Sequence, residues 1–342
     1  MKRLIACLTA VAAALSINVQ AQNFPDKPVR IVLPFPPGSA IDLVGRVYAQ
    51  KLAELWGQNV LPDNRVGAGG TIGANIVAKA APDGYTLMIH SSGHAVAPSI
   101  YTKLPYDIFN DFIEIASLGE QPNVLIVPPS SPFKSTADFL ARARERPGSI
   151  NVASAGIGSA THLNLEKFKI AAKVNVTHVP YKGSGEILID IMGGRVDAYF
   201  APLSAGLSNI QSGKVRGVAV SSAKRAKLLP DLPTLAESGV PKFHFTFWIG
   251  VWGPAGMPAP VVRKIYADFK RVSDDAATLE RLAAMGNDPL QMTTPEFAKF
   301  VRAEIADIAV LLKAAGVKPQ YLRAGRQPAA ASCIALRGVR AS

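Results

Sequence analysis

Three short runs of small polar residues carry the chemistry on offer in this sequence: Pro37-Gly38-Ser39-Ala40, His90-Ser91-Ser92-Gly93 and Ser154-Ala155-Gly156-Ile157-Gly158-Ser159. Each follows a β-rich run, and the first and third precede segments with helical periodicity. A helix start presents backbone N–H groups without intrahelical partners, together with a partial positive charge. Glycine and serine let an oxyanion approach that backbone closely. In open α/β sheets, ligands bind at the carboxyl ends of strands, where these runs lie. Any one run alone also reads as an ordinary tight turn. Two of them, one from each half of the chain, read as a cleft for an anion.

Catalytic and cofactor patterns fail residue by residue. Gly67-Ala68-Gly69 opens like a dinucleotide fingerprint, but the third required position is Ile72 and the glycine comes at Gly73. A phosphate-binding G-x-x-x-x-G-K-[ST] loop and a G-x-S-x-G nucleophile elbow are absent from the sequence. His90 and His94 lack the Glu and third ligand that a zinc site needs, and they read as loop or core residues. The expectation is therefore no metal and no cofactor. Basic patches lack interleaved aromatics, so nucleic-acid binding has no specific support.

The elements that position these runs alternate strand and helix. Val29–Leu33 is a strand. Ser39 caps a helix with Asp42 in the capping-box position, and Ile41, Val44, Val47, Tyr48, Leu52 and Leu55 follow until Gly57 stops it. Strands follow at Val60-Leu61 and Tyr85–Ile89, with a helix from the glycine-rich turn to Ala80. This alternation predicts a parallel sheet with crossover helices. It restarts with strands at Asn123–Val127, Ile150–Ser154, Val174–Val179, Val196–Phe200 and Val215–Ser221, giving two α/β lobes. The linker candidates are Glu120-Gln121-Pro122 and the Pro-rich Leu229–Pro233. An aromatic run, Phe243–Trp252, and several helices complete the body, one of them capped by Thr294 with Pro295 next. Phe245, Phe247 and Trp248 read as hinge and core aromatics.

The chain has 342 residues, 49% of them hydrophobic and 18% charged, which excludes a disordered protein and suits two domains. The net charge is +12, of which two charges come from Lys2 and Arg3 and four from arginines after Gln320, leaving +6 for residues 22–320. That is a mildly basic body suited to anionic ligands. Both cysteines, Cys7 and Cys333, lie outside it, which excludes a body thiolate, cysteine zinc cluster or disulfide. Lys2-Arg3, the apolar Leu4–Ile17 and Val19-Gln20-Ala21 read as a secretory signal peptide, 1–21, cut before Gln22, and not as a lipoprotein leader. Residues 321–342 lack periodicity and are expected to be disordered.

A longer, ordered series of motifs is recognisable. Phe24-Pro25-Asp26-Lys27-Pro28-Val29-Arg30-Ile31-Val32-Leu33-Pro34-Phe35-Pro36-Pro37-Gly38 with Asp42 resembles the opening of the Bug family, periplasmic receptors of tripartite tricarboxylate transporters. Further matches, in order, are Asn64-Arg65, Asp83-Gly84-Tyr85, Leu104-Pro105-Tyr106-Asp107, Ser154-Ala155-Gly156, Thr161-His162-Leu163, Val179-Pro180-Tyr181-Lys182-Gly183, Leu232-Pro233-Thr234 and Gly253–Pro258. The resemblance covers roughly residues 24–320. Ser39 stands where the family usually has Gly, Val66 where it has Pro, and the tail has no counterpart.

The resemblance implies a two-lobed, type II periplasmic-binding-protein (Venus flytrap) fold: lobe 1 from 22–124 and 226–320, lobe 2 from 125–225. It implies a cleft that captures a small carboxylate and delivers it, as a periplasmic monomer, to inner-membrane transporter subunits. The implied ligand contacts are Phe35, Gly38, Ser39, Ala40, Asp42, Ser91, Ser92, Ser154, Ala155, Gly156, Gly158, Thr161, His162, Tyr181, Lys182, Gly183 and Asp197. Asp42 has two readings, helix capping or a water-mediated ligand contact; Lys182 reads as a solvated lysine or an ion-pair partner. Two other functions stay open: a secreted hydrolase or lyase, with His162 and Asp197 as its polar pair, and a sensory co-receptor using the same pocket. Dicarboxylates, tricarboxylates, amino acids and aromatic acids all fit the scheme.

Overall fold

The computed structural model describes residues 24–319 and Tyr321. The expected leader and nearly all of the expected tail lie outside the described residues. Nine strands join in one continuous, curled sheet, in the order β2-β1-β3-β9-β4-β7-β5-β6, with β8 also on β4. The strands are β1 (Val29–Leu33), β2 (Val60–Asn64), β3 (Thr86–Ser91), β4 (Phe112–Val127), β5 (Asn151–Ser154), β6 (Thr177–Pro180), β7 (Ala198–Pro202), β8 (Arg216–Val220) and β9 (Thr246–Pro254).

The expected parallel pairing holds within each half: β1 with β2 and β3, and β5 with β6 and β7. The two long strands depart from it. β9 runs antiparallel to β3 and β4, and β4 runs antiparallel to β7 and β8. Strand alternation could not reveal this, because β9 follows β8 with no helix between them and inserts between β3 and β4.

β4 joins the lobes. Phe112–Pro122 pairs with β9, whereas Asn123–Val127 pairs with β7 and β8. The chain thus changes lobe inside an unbroken strand, at the Glu120-Gln121-Pro122 stretch. It returns at Phe245-Thr246. Ser221 ties both crossings: its Oγ accepts from Asn123 N–H and donates to Phe245 C=O, each at 2.8 Å. Residues 226–245, grouped above with lobe 1, make their backbone contacts with β8, through Val220 N–H to Pro233 C=O and Leu235 N–H to Val220 C=O. Phe243 also packs on Phe168. The prolines of Leu229–Pro233 sit in a loop folded back on β8.

Period-two alternation sorts the second lobe's core. Val124, Ile126, Tyr199 and Ala201 face one hydrophobic cluster; Leu125, Val127, Ala198 and Phe200 face the other. Both faces are covered, as parallel strands require. The helices are α1 (Ala40–Trp56), α2 (Thr71–Ala78), α3 (Gly93–Ile100), α4 (Thr136–Glu145), α5 (Ala160–Ala172), α6 (Ser184–Met192), α7 (Leu203–Gln211), α8 (Ala259–Asp274), α9 (Ala276–Ala283) and α10 (Thr294–Ala314). Gly57 ends α1 in the left-handed region, at φ 62°, as its position predicts. α10 starts one residue early: Thr293 caps it through a box with Glu296, placing Thr294 first and Pro295 second. Pro98 lies inside α3 and removes one helical N–H.

Candidate functional site

The starts of α1 and α5 have the same build. Each reads Gly-Ser-Ala: Gly38-Ser39-Ala40 and Gly158-Ser159-Ala160. The glycines take φ 78° and 81°, a region open to glycine at little cost. The serines cap with φ/ψ of −71°/160° and −75°/161°. Ser39 N–H donates to Pro36 C=O and Ser159 N–H to Gly156 C=O, both at 3.1 Å. Each Oγ accepts a third-position N–H, Asp42 at 3.3 Å and His162 at 3.2 Å. Among the described residues, the N–H groups of Ala40, Ile41, Ala160 and Thr161 find no acceptor, as expected in the first turn of a helix.

A cleft enclosing about 270 Å³ of space, part of it open to solvent, lies between these two starts. Of the expected contacts, Phe35, Ser39, Ala40, Ala155 and Thr161 line it. So do Ile41, Ser159, Ala160, Ser184, Tyr199, Pro202 and Phe247, which were not among them. The shared Gly-Ser-Ala was the signal for Ser159. The rule of carboxyl strand ends, applied to β7, was the signal for Pro202, whereas Tyr199, second in that strand, had none. Phe247 had no signal: it belongs to an aromatic run that is otherwise core.

The remaining expected contacts do not line the cavity. Asp42, 2% exposed, holds the first loop. Its carboxylate accepts from Gly38 N–H, Arg46 Nε and Asn64 Nδ2, each at 2.9 Å. Burial pushes this carboxyl up, but bonds from Arg46, Gly38 and Asn64 outweigh it and hold it below its usual range. Ser91 Oγ accepts from Gly93 N–H at 3.3 Å, and Ser92 precedes α3 without a side-chain cap bond. Gly156 packs against Tyr181 C=O. Tyr181 turns its hydroxyl to Asp190 at 2.8 Å, and Lys182 is exposed. Gly183 faces Pro36 across the cleft. Asp197 precedes β7, at the opposite end of that strand from Pro202, and accepts from Asn151 N–H at 2.7 Å.

Behind the second loop lies a stacked histidine pair, His162 and His178, with ring centroids 4.2 Å apart. His162 Nδ1 accepts from Gly158 N–H at 3.3 Å, and its Nε2 lies 3.8 Å from Glu166. Burial first, then Lys169, lowers the pKa of His162; burial, His162 and Lys169 lower that of His178. Asp197 is bonded elsewhere, so His162 and Asp197 do not form the pair that a hydrolase reading named. Ser154 Oγ and His178 Nε2 are 2.6 Å apart, within nucleophile–base range. That serine is fully buried and bonded to the Gly156 backbone, so it presents no Oγ to the cavity. Among the described residues no His, Cys, Asp or Glu cluster could hold a metal.

Residues 44–317 match the model of the tripartite tricarboxylate transporter family receptor. The chain belongs to that family. BugT of Bordetella pertussis is 34% identical over 93% of this chain and 99% of its own. The structure of Rpa4515 of R. palustris, solved with adipate, is 34% identical with a TM-score of 0.84, over 87% of this chain and all of that one. MatC of Rhodopseudomonas palustris, solved with bound malate, is 32% identical with a TM-score of 0.80, over 84% of this chain and all of that one. As in these receptors, two lobes flank a cleft, and the family is one of solute-binding receptors, not of enzymes.

Proposed function

We propose that this protein is an exported receptor that captures a small carboxylic acid in its interlobe cleft. It would pass the ligand to the membrane subunits of a tripartite tricarboxylate-type transporter, acting as a periplasmic monomer. The observation that carries this reading is the facing pair of Gly-Ser-Ala helix starts around one cavity. Four free N–H groups and two helix dipoles converge there. Hydrogen bonds to a charged group contribute about 1.5–3 kcal/mol each, so two or three suffice without an arginine. The relatives solved with adipate and malate support the ligand class.

Carboxylates placed at the two caps test it. Asp caps a helix as well as Ser does, so Ser39→Asp and Ser159→Asp should leave the empty protein's melting temperature nearly intact. Each should weaken carboxylate binding strongly in calorimetry. Binding at parental strength by both variants would remove the two-helix cradle and move the search to Tyr181 and Lys182.

A further inference from the structure

Resting on the carboxylate reading, we infer that this site takes a monocarboxylate with a small apolar body in preference to a di- or tricarboxylate. Four helices start at or beside the cavity, and their starts are not equivalent. α6 carries Glu186 in its first turn, and that carboxylate accepts from Lys182 N–H at 3.4 Å, so a negative charge already stands at this start and disfavours a second anion. α7 follows Pro202, which has no N–H, and its Ser204 N–H donates to the Gln121 side chain at 2.7 Å. α5 has no acid in its first turn. α1 has Asp42, but that carboxylate is held by Gly38, Arg46 and Asn64, does not line the cavity, and is offset by the Arg46 charge. The facing starts of α1 and α5 thus make one place for one carboxylate.

The rest of the wall is apolar, formed by Phe35, Ile41, Pro202 and Phe247. Its two other hydroxyls, Ser184 Oγ and Tyr199 OH, bond each other at 2.9 Å. Among the described residues, no Lys, Arg, His, Asp or Glu lines the cavity. A second carboxylate would shed its water against aromatic and aliphatic walls with no cation in return, and a buried unpaired charge is costly. An apolar body loses nothing there and gains from leaving water.

Calorimetry of the purified protein with hexanoate, benzoate and adipate tests this at one pH and ionic strength. Hexanoate and adipate have the same carbon count and differ by one carboxylate. The better monocarboxylate should bind at least about tenfold more tightly than adipate. Adipate binding as tightly as both, or more tightly, overturns the inference and leaves the carboxylate reading standing. Failure of all three to bind overturns the inference as well, and the cap variants Ser39→Asp and Ser159→Asp then test the carboxylate reading separately.

Discussion

Asp42 shows how one side chain sets the first loop. Its two oxygens hold the Gly38 N–H, the Asn64 amide and the Arg46 guanidinium at once. Asp42→Ala would leave those donors in a mostly buried setting without their acceptor. The variant should lose about 2 kcal/mol of stability, read by urea unfolding near neutral pH. The folded carboxyl titrates below its ordinary 3.8, so its contribution is present above that value and fades as pH falls through the lower, folded one. The stability gap between parent and variant should therefore narrow in strong acid. That Asp42 would serve the cap was legible from its place three residues after Ser39. That it also gathers Asn64 and Arg46 was not, because Asn64 arrives from β2, distant in sequence.

At the scale of elements, the lobes meet along glycines. A Cβ on Gly183 would stand 2.3 Å from Pro36 Cγ, and one on Gly69 would stand 2.3 Å from Ile157 C=O. Tyr101 OH spans the same seam and donates to Ile157 C=O at 2.9 Å. Gly183 has φ 176°, extended backbone open to any residue, so a methyl there acts as a steric wedge without local strain. Gly183→Ala should lower the melting temperature of the empty protein modestly, because Pro36 must shift, and weaken carboxylate binding by tenfold or more if the seam has to shut on the ligand. Calorimetry beside a thermal melt reads both, and unchanged affinity would show that the seam does not govern closure. Sequence periodicity located α1 and α10, whose apolar stripes are regular, and the Gly156–Ser159 turn located α5, whose first seven residues are all buried. It missed the first eleven residues of β4, where Gly119 and Pro122 interrupt the strand pattern and two register shifts bend it.

Acid response belongs to the whole molecule. His90 and His94 in lobe 1 and His162 and His178 in lobe 2 all titrate below the ordinary 6.5, chiefly because burial disfavours the cation. Below that pH the unfolded chain takes up protons that the folded one refuses, so stability is full above 6.5 and falls as pH drops toward the folded values. Melting temperature should decline steadily from pH 7 to pH 4.5, and His178→Gln should flatten that decline. A profile that is flat over this range would mean that the folded histidines accept protons freely.

The sequence by itself determined the alternation of strands and helices, the capping serines and the small polar runs. Those depend on local propensity and on residues three or four apart. The antiparallel β4 and β9, the Ser221 tie between Asn123 and Phe245, and the meeting of Ile41, Tyr199, Pro202 and Phe247 on one cavity wall were decided by tertiary structure alone. Their partners lie tens to hundreds of residues apart, and only the folding of the sheet brings them within contact distance.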